Sequence, residues 1–187
     1  NPLGSAESEH IVHEIESFRK EKDSYFGTDP GSPIPEGDRG QFKGLKYYPP
    51  ASDYRVKARL IKSDKPEVVT MTTSKGTIRP YLKYGVFSFE LQGKKLQLHA
   101  YKAADDPHDQ SLFVPFADET SGKETYGAGR YLDITETRGD DYVLDFNLAY
   151  NPYCAYNENY VCPFPPRDNR LPIAVKAGEK NYKSASD

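Results

Sequence analysis

The sequence predicts a mainly β fold: an antiparallel β-barrel or sandwich of about ten short strands, with one N-terminal helix. Three observations carry this expectation. From residue 42 onward, apolar residues alternate with a period of two in segments of five to eight residues bounded by Gly, Pro, Asn, Asp or Ser. Only Glu7 to Ser24 shows a helical period, and no β-α-β alternation follows it. Of the 187 residues 37 are Leu, Ile, Val or Phe, but 15 tyrosines add large apolar bodies and the net charge is only −3, so the chain has the means to build a core.

Composition excludes several classes. No run approaches 18 apolar residues, so no transmembrane helix is expected. Trp is absent and Met occurs once, which leaves no Met-rich groove for a partner helix. Charge is uneven: residues 1–41 carry net −5, residues 42–102 net +9 and residues 103–151 net −8. The basic block is not expected to bind nucleic acid. Its densest part, Tyr54-Arg55-Val56-Lys57-Ala58-Arg59-Leu60, alternates strictly, as the wet face of a half-buried strand does, and the pI is about 5.9.

The elements follow in order. Residues 1–5 (Asn-Pro-Leu-Gly-Ser) resemble the remnant of a cleaved tag and are set aside. In the helix, Ile11, Val12, Ile15 and Phe18 form the apolar stripe, and Gly27 is a natural stop. His10 and His13 lie three apart on it, but no carboxylate or thiol of ligand spacing joins them, so a solvated or packing face is expected. Residues 28–41 are rich in Pro and Gly and read as an extended connector, so residues 6–41 form the helix and connector. A single β-rich domain is expected over 42–180, with a tail at 181–187. Its strands are Lys43–Tyr48, Tyr54–Ile61, Glu67–Thr73, Thr77–Lys83, Val86–Leu91, Lys94–Tyr101, Leu112–Phe116, Gly129–Thr135, Tyr142–Asn147 and Leu171–Lys176, with Gln92-Gly93 a tight turn.

Residues 116–172 differ in kind. Seven tyrosines fall between Tyr126 and Tyr160, both cysteines lie here, and residues 148–170 have no periodicity. An irregular stretch that long in a compact domain is functional or pinned. A Cys154–Cys162 disulfide would pin it, contributing roughly 2.5 kcal/mol on the chain-entropy model; two free thiols are the alternative. Familiar chemical motifs do not fit. A phosphate loop ending in Gly122-Lys123 would need Gly at 117 and Ser or Thr at 124, where Ala117 and Glu124 stand, and Gly127-Ala128-Gly129 opens no helix. Neither a cofactor nor a metal is indicated.

The strings Thr120-Ser121-Gly122-Lys123-Glu124-Thr125-Tyr126-Gly127-Ala128-Gly129-Arg130-Tyr131-Leu132-Asp133 and Asp145-Phe146-Asn147-Leu148-Ala149-Tyr150-Asn151-Pro152-Tyr153-Cys154-Ala155-Tyr156 resemble the signature of an uncharacterised prokaryotic family, domain of unknown function 1684. The resemblance extends to Phe42-Lys43-Gly44-Leu45, Tyr84-Gly85 and the segment Cys162-Pro163 to Asn169-Arg170-Leu171-Pro172, and covers roughly Glu14 to Lys180. It implies no established activity. Members of this style often look exported, which favours the periplasm or cell surface and leaves the cytoplasm open.

The functional expectation is a binding module. A small polar or anionic ligand would sit at a Tyr/Asn/Arg-rich barrel end lidded by Ala149–Pro166, with Arg130 as anchor and Glu124, Tyr126, Asp145, Asn147, Tyr150 and Asn151 around it. The alternatives are a hydrolase-like enzyme using two carboxylates from Glu124, Asp133 and Asp145, or a structural or protein-interaction domain. One register argument sharpens the first. If Thr137-Arg138-Gly139-Asp140 is a hairpin loop, Arg130 opposes Asn147 and Leu132 opposes Asp145. Arg130, Leu132, Ile134, Val143, Asp145 and Asn147 then share a buried face, and an Arg130–Asp145 pair is expected.

Overall fold

The computed structural model describes residues 4–183; the first three residues of the tag-like leader and residues 184–187 of the tail lie outside the described residues. The chain is mainly β, with helix α1 (Ser5–Thr28) followed by six strands: β1 (Arg55–Thr72), β2 (Ile78–Leu91), β3 (Lys94–Ala103), β4 (Ser111–Phe116), β5 (Arg130–Thr135) and β6 (Asp141–Asp145). They form one antiparallel sheet in the order β5-β4-β3-β2-β1-β6, curled into a nearly closed barrel. Among the described residues no helix is long and apolar enough to cross a membrane.

Six strands replace the expected ten for two reasons. First, neighbouring segments fuse across irregularities: Tyr54–Ile61 and Glu67–Thr73 are one strand with a register shift between Lys62 and Glu67, and Thr77–Lys83 and Val86–Leu91 are one strand shifted between Lys83 and Gly85. A bulge resets the side-chain period without ending the strand, so in sequence it looks like a turn. At Gly85 an added Cβ would lie 2.7 Å from the Ile61 carbonyl oxygen, so the bulge needs glycine there. Second, Lys43–Tyr48 and Leu171–Lys176 are extended but join no ladder; the former contributes only an isolated bridge, Tyr47 to Glu179. The Gln92-Gly93 turn is as expected, with φ of 54° and 73°, the paired positive values of a two-residue hairpin.

Phe87, Phe89, Leu98, Leu112, Val114, Phe116, Leu132 and Leu144 point into the barrel and are buried. Leu171, Ile173, Val175 and Ala177 enter the same core, so the C-terminal segment alternates as the sequence says but serves as a plug. On the opposite face Met71, Tyr81 and Tyr101 form a second cluster. Residues 160–164 run alongside the end of β1: Ser74 N–H donates to the Cys162 carbonyl at 2.9 Å and Phe164 N–H to the Thr72 carbonyl at 2.8 Å.

Helix α1 runs on through Gly27 to Thr28. Its buried face is Ile11, Ile15, Arg19 and Phe26. Phe18 is 44% exposed, and Val12 is only partly covered. Arg19 takes the place expected for Phe18 because its guanidinium stacks 4.4 Å from the Tyr47 ring centroid and donates to the Tyr48 carbonyl at 2.7 Å. His10 and His13 are exposed, and His10 lies 3.2 Å from Glu14.

Candidate functional site

Strands β5 and β6 do not pair; they are the two free edges of the sheet, so the expected hairpin is absent. Arg130 opposes Phe116 on β4, and Asp145 opposes Arg55 on β1. The faces of β6 are also the reverse of the expectation: Tyr142 and Leu144 are buried while Val143 is 47% exposed. The expectation failed because it took the short link after β5 for a hairpin loop and set the faces of β6 from β5, whereas β6 pairs with β1 and takes its faces from that strand.

Arg130 is buried, at 1% exposure, but its partner is Asp118, 2.8 Å away and 0% exposed. The guanidinium also donates to the carbonyls of Val175, Ala177 and Glu179. The plug segment is extended and unpaired by strands, so its buried carbonyls need donors, and Arg130 supplies them. Asp118 accepts as well from Thr120 N–H and Oγ1.

The other expected site residues lie in separate surroundings. Glu124 accepts from the Tyr48 hydroxyl at 2.7 Å. Asn147 bonds both backbone groups of Ala51 and the Asp145 carboxylate, which lies 3.6 Å from Arg55. Asn151 N–H donates to Glu179 at 2.5 Å and its side chain to the Lys180 carbonyl. Tyr126 Oη lies 3.6 Å from Cys154 Sγ. Both cysteines are free thiols, so the disulfide expected to pin the segment is not formed; Cys154 N–H instead donates to Cys162 Sγ at 3.3 Å.

The structure opens a concave site at the seam between β5 and β6. Tyr131 and Tyr150 exchange both backbone hydrogen bonds, at 2.9 and 3.1 Å, closing one end. Beyond that point the antiparallel alternation turns the N–H and C=O groups of Asp133 and Thr135 toward the gap. The gap holds a cavity of about 1120 Å³ with Ala58, Leu132, Ile134 and Tyr142 as its apolar lining and Lys57, Arg59, Asp133, Asp141 and Asp145 among its charged residues. A second cleft of about 460 Å³ shares Phe18, Asp133 and Tyr150 with it. Tyr131, Tyr153 and Tyr160 wall that cleft, together with Cys162, and Lys22 and Arg79 supply its cations.

At the junction, Tyr150 Oη donates to Asp133 at 2.5 Å. Asp133 keeps an exposed surface, but the desolvation around its carboxyl in the seam raises it above its ordinary value, against the Tyr150 bond and the nearby Lys22, and burial next to that carboxyl raises the Tyr150 phenol strongly. Lys22 lies 5.0 Å from the Tyr150 ring centroid and 3.3 Å from buried Glu179.

Of the expected residues, the structure brings Asp145 and Tyr150 to this site, together with Asp133, one of the carboxylates of the hydrolase-like alternative; Glu124 lies elsewhere. Tyr150, Tyr153 and residues 160–163, all within the expected lid, do line it. Phe18, Lys22 and Arg79 were missed. Phe18 and Lys22 stand four apart on one helix face, a signal present in the sequence but absorbed into the core stripe. Arg79 carried none beyond strand alternation.

Fold and site together define a nearly closed antiparallel barrel plugged by its own C-terminal segment and flanked by an open groove. A match to the family model for a protein of unknown function, DUF1684, spans residues 40–180, and the chain belongs to that family. It is also similar to the uncharacterised protein from gene locus rrnAC0354 of Haloarcula marismortui, solved by solution NMR. The two are 41% identical with a TM-score of 0.71, over 92% of this chain and 95% of that one. A search of the curated proteins found no match.

Proposed function

We propose that this chain is a binding domain for a small amphipathic anion, whose apolar body lies in the β5–β6 seam and whose charged end reaches Lys22 and Arg79. The observation that carries this reading is the continuity of two concavities. An apolar-lined seam of about 1120 Å³ meets a tyrosine-walled, cation-bearing cleft at Phe18, Asp133 and Tyr150. Binding sites are commonly concave, mostly apolar and furnished with few polar groups. Phe18, at 44% exposure, is an aromatic left uncovered where the two spaces join. The anchoring cations in this reading are Arg79 and Lys22, which line the cleft; Lys22 would share its charge between the ligand and Glu179, whereas Arg130, at 1% exposure, reaches neither concavity.

The test uses 1-anilinonaphthalene-8-sulfonate, which has an apolar body and one anionic group, with medium-chain carboxylates as competitors. Saturable fluorescence enhancement by the folded protein is expected, weakened by Phe18→Asp and by Lys22→Ala. At a concentration about 100 times Kd, a binder stabilises by about 2.7 kcal/mol, a rise of roughly 5–10 °C in Tm for a chain of this size. Fluorescence indifferent to Phe18→Asp, or no melting shift with any amphipathic anion, refutes the proposal.

A further inference from the structure

Cys154 and Cys162 are the only cysteines in the chain, and the structure brings them together, with Cys162 at the edge of the tyrosine cleft. They are not equivalent. Cys154 sits in a short 3-10 turn, Tyr153–Ala155, with its thiol half-buried and the Tyr126 hydroxyl 3.6 Å from its sulfur. Cys162 is 7% exposed and held in place on both sides: its N–H donates to Ser74 Oγ at 3.1 Å, and its carbonyl accepts from Ser74 N–H at 2.9 Å. Its sulfur faces Cys154, taking that residue's N–H at 3.3 Å. A half-buried cysteine with a hydroxyl 3.6 Å from its sulfur and a second, fixed thiol beside it is an arrangement that suits a peroxide-sensitive cysteine pair.

We propose that Cys154 and Cys162 form a reactive dithiol, with Cys154 as the attacking thiolate and Cys162 as the resolving thiol toward peroxides. Cys154 S⁻ attacks one oxygen of the peroxide O–O bond, giving Cys154 sulfenic acid, while the other oxygen leaves and takes up a proton as water or an alcohol. Cys162 S–H then attacks the sulfenic sulfur; the S–O bond breaks, the oxygen leaves as water with the thiol proton, and the disulfide closes. Two electrons pass from the sulfurs to the peroxide, and a second dithiol returns the pair to its free state by exchange.

The electrostatics agree with this division of roles. Hydrogen bonds from Cys162 and from Tyr126 hold the Cys154 thiol down to about 6, against burial. The same shared proton, with burial, pushes Cys162 well above its ordinary value. One proton is thus kept on the inner sulfur while the outer one is ionised near neutrality.

The experiment is pH-resolved alkylation with iodoacetamide, read by peptide mass mapping, followed by hydrogen peroxide treatment. At pH 6.5 Cys154 is expected to be alkylated more than about tenfold faster than Cys162. Tyr126→Phe should move the Cys154 profile to higher pH. Peroxide should remove both titratable thiols of the wild-type monomer together and form an intramolecular disulfide. In Cys162→Ser it should leave a sulfenic acid on Cys154 that dimedone traps, whereas Cys154→Ser should give no trapped product. Faster alkylation of Cys162, a Cys154 profile centred near an ordinary thiol value and indifferent to Tyr126→Phe, or two thiols that survive peroxide would each overturn the proposal.

Discussion

Replacing Arg130 with Met keeps most of the side-chain volume and deletes the charge. The substitution leaves the Asp118 carboxyl at 0% exposure with its cation gone. Breaking a buried pair from one side costs about 3–5 kcal/mol. The carbonyls of Val175, Ala177 and Glu179 also lose a donor, and each buried orphan adds up to about 1–3 kcal/mol before relaxation. Against a whole-domain stability of about 5–15 kcal/mol, this approaches the limit of folding. A drop of at least about 10 °C in Tm is expected at roughly 2–4 °C per kcal/mol. Asp118→Asn should cost less, since the amide oxygen can still accept from Thr120. The double substitution should be more stable than the sum of the singles predicts by about 1–3 kcal/mol, the signature of groups in contact. The assay is urea unfolding at 10 °C with thermal melts alongside. A Tm change under about 2 °C in Arg130→Met, or strict additivity in the double variant, refutes the assignment. Because Arg130 lines neither the seam nor the tyrosine cleft, dye binding per folded molecule should be unchanged in Arg130→Met.

Two further substitutions test the backbone and the site. Gly129 has φ +107°, and a Cβ there would fall onto the Phe116 carbonyl oxygen and lie 2.9 Å from Pro165 Cγ, so Gly129→Ala should cost at least about 3 kcal/mol in urea unfolding. Gly93→Ala, at φ +73° with open space around it, should cost only about 1 kcal/mol. Desolvation in the seam raises the Asp133 carboxyl in the folded state, so the folded protein holds that proton longer than the unfolded chain. Its unfavourable contribution is absent below the unfolded value and grows as pH rises through the folded one. Asp133→Asn, whose amide oxygen can still accept from Tyr150, should therefore match or exceed wild-type Tm at pH 7 with no advantage at pH 3; a variant clearly less stable at pH 7 would show that the ionised carboxylate is stabilising.

What could be read from the chain was whatever depends on local period. The helix, the Gln92-Gly93 hairpin, the inward set of β2 and β3 and the exposure of Arg55, Lys57 and Arg59 all follow from alternation and turn chemistry. Arg130 was read as buried beside Leu132 and Ile134, and it is. Its partner was not legible, because Asp118 lies twelve residues upstream in a loop and meets Arg130 only through the β4–β5 pairing. Fused strands were not legible because a bulge and a turn both interrupt alternation in the same way. Two extended segments, residues 43–48 and 171–176, had strand periodicity without strand partners, and sequence encodes burial more directly than hydrogen-bonding partners. The seam was hidden for a related reason: it exists only because two strands close in sequence ended at opposite edges of the sheet.

That separation has a physical basis in the same residues. In the four-residue-loop register, pairing β5 with β6 would set Leu132 against Asp145 and Ile134 against Val143, turning Asp145 toward the core with Leu132 and Tyr142 and Leu144 away from it. The structure keeps Tyr142 and Leu144 inside by pairing β6 with β1, where Val56 faces Leu144 and Ala58 faces Tyr142. The edges left over carry Asp133 on one side and Asp141 on the other, and like charges brought across a ladder repel; Asp145 is already paired with Arg55 and bonded by Asn147. Charged edge strands also resist pairing with another chain. Lys57 and Arg59 on the neighbouring strand offset part of this acidity without closing the gap. Hydrophobic alternation thus pulls β6 to the far side of β1, and the acidic edges favour a seam left open beside Ile134. The apolar side chains that this leaves within reach of the seam are Ile134, Val143 and Leu148, and sealing them under β5 would require reversing the faces of β6.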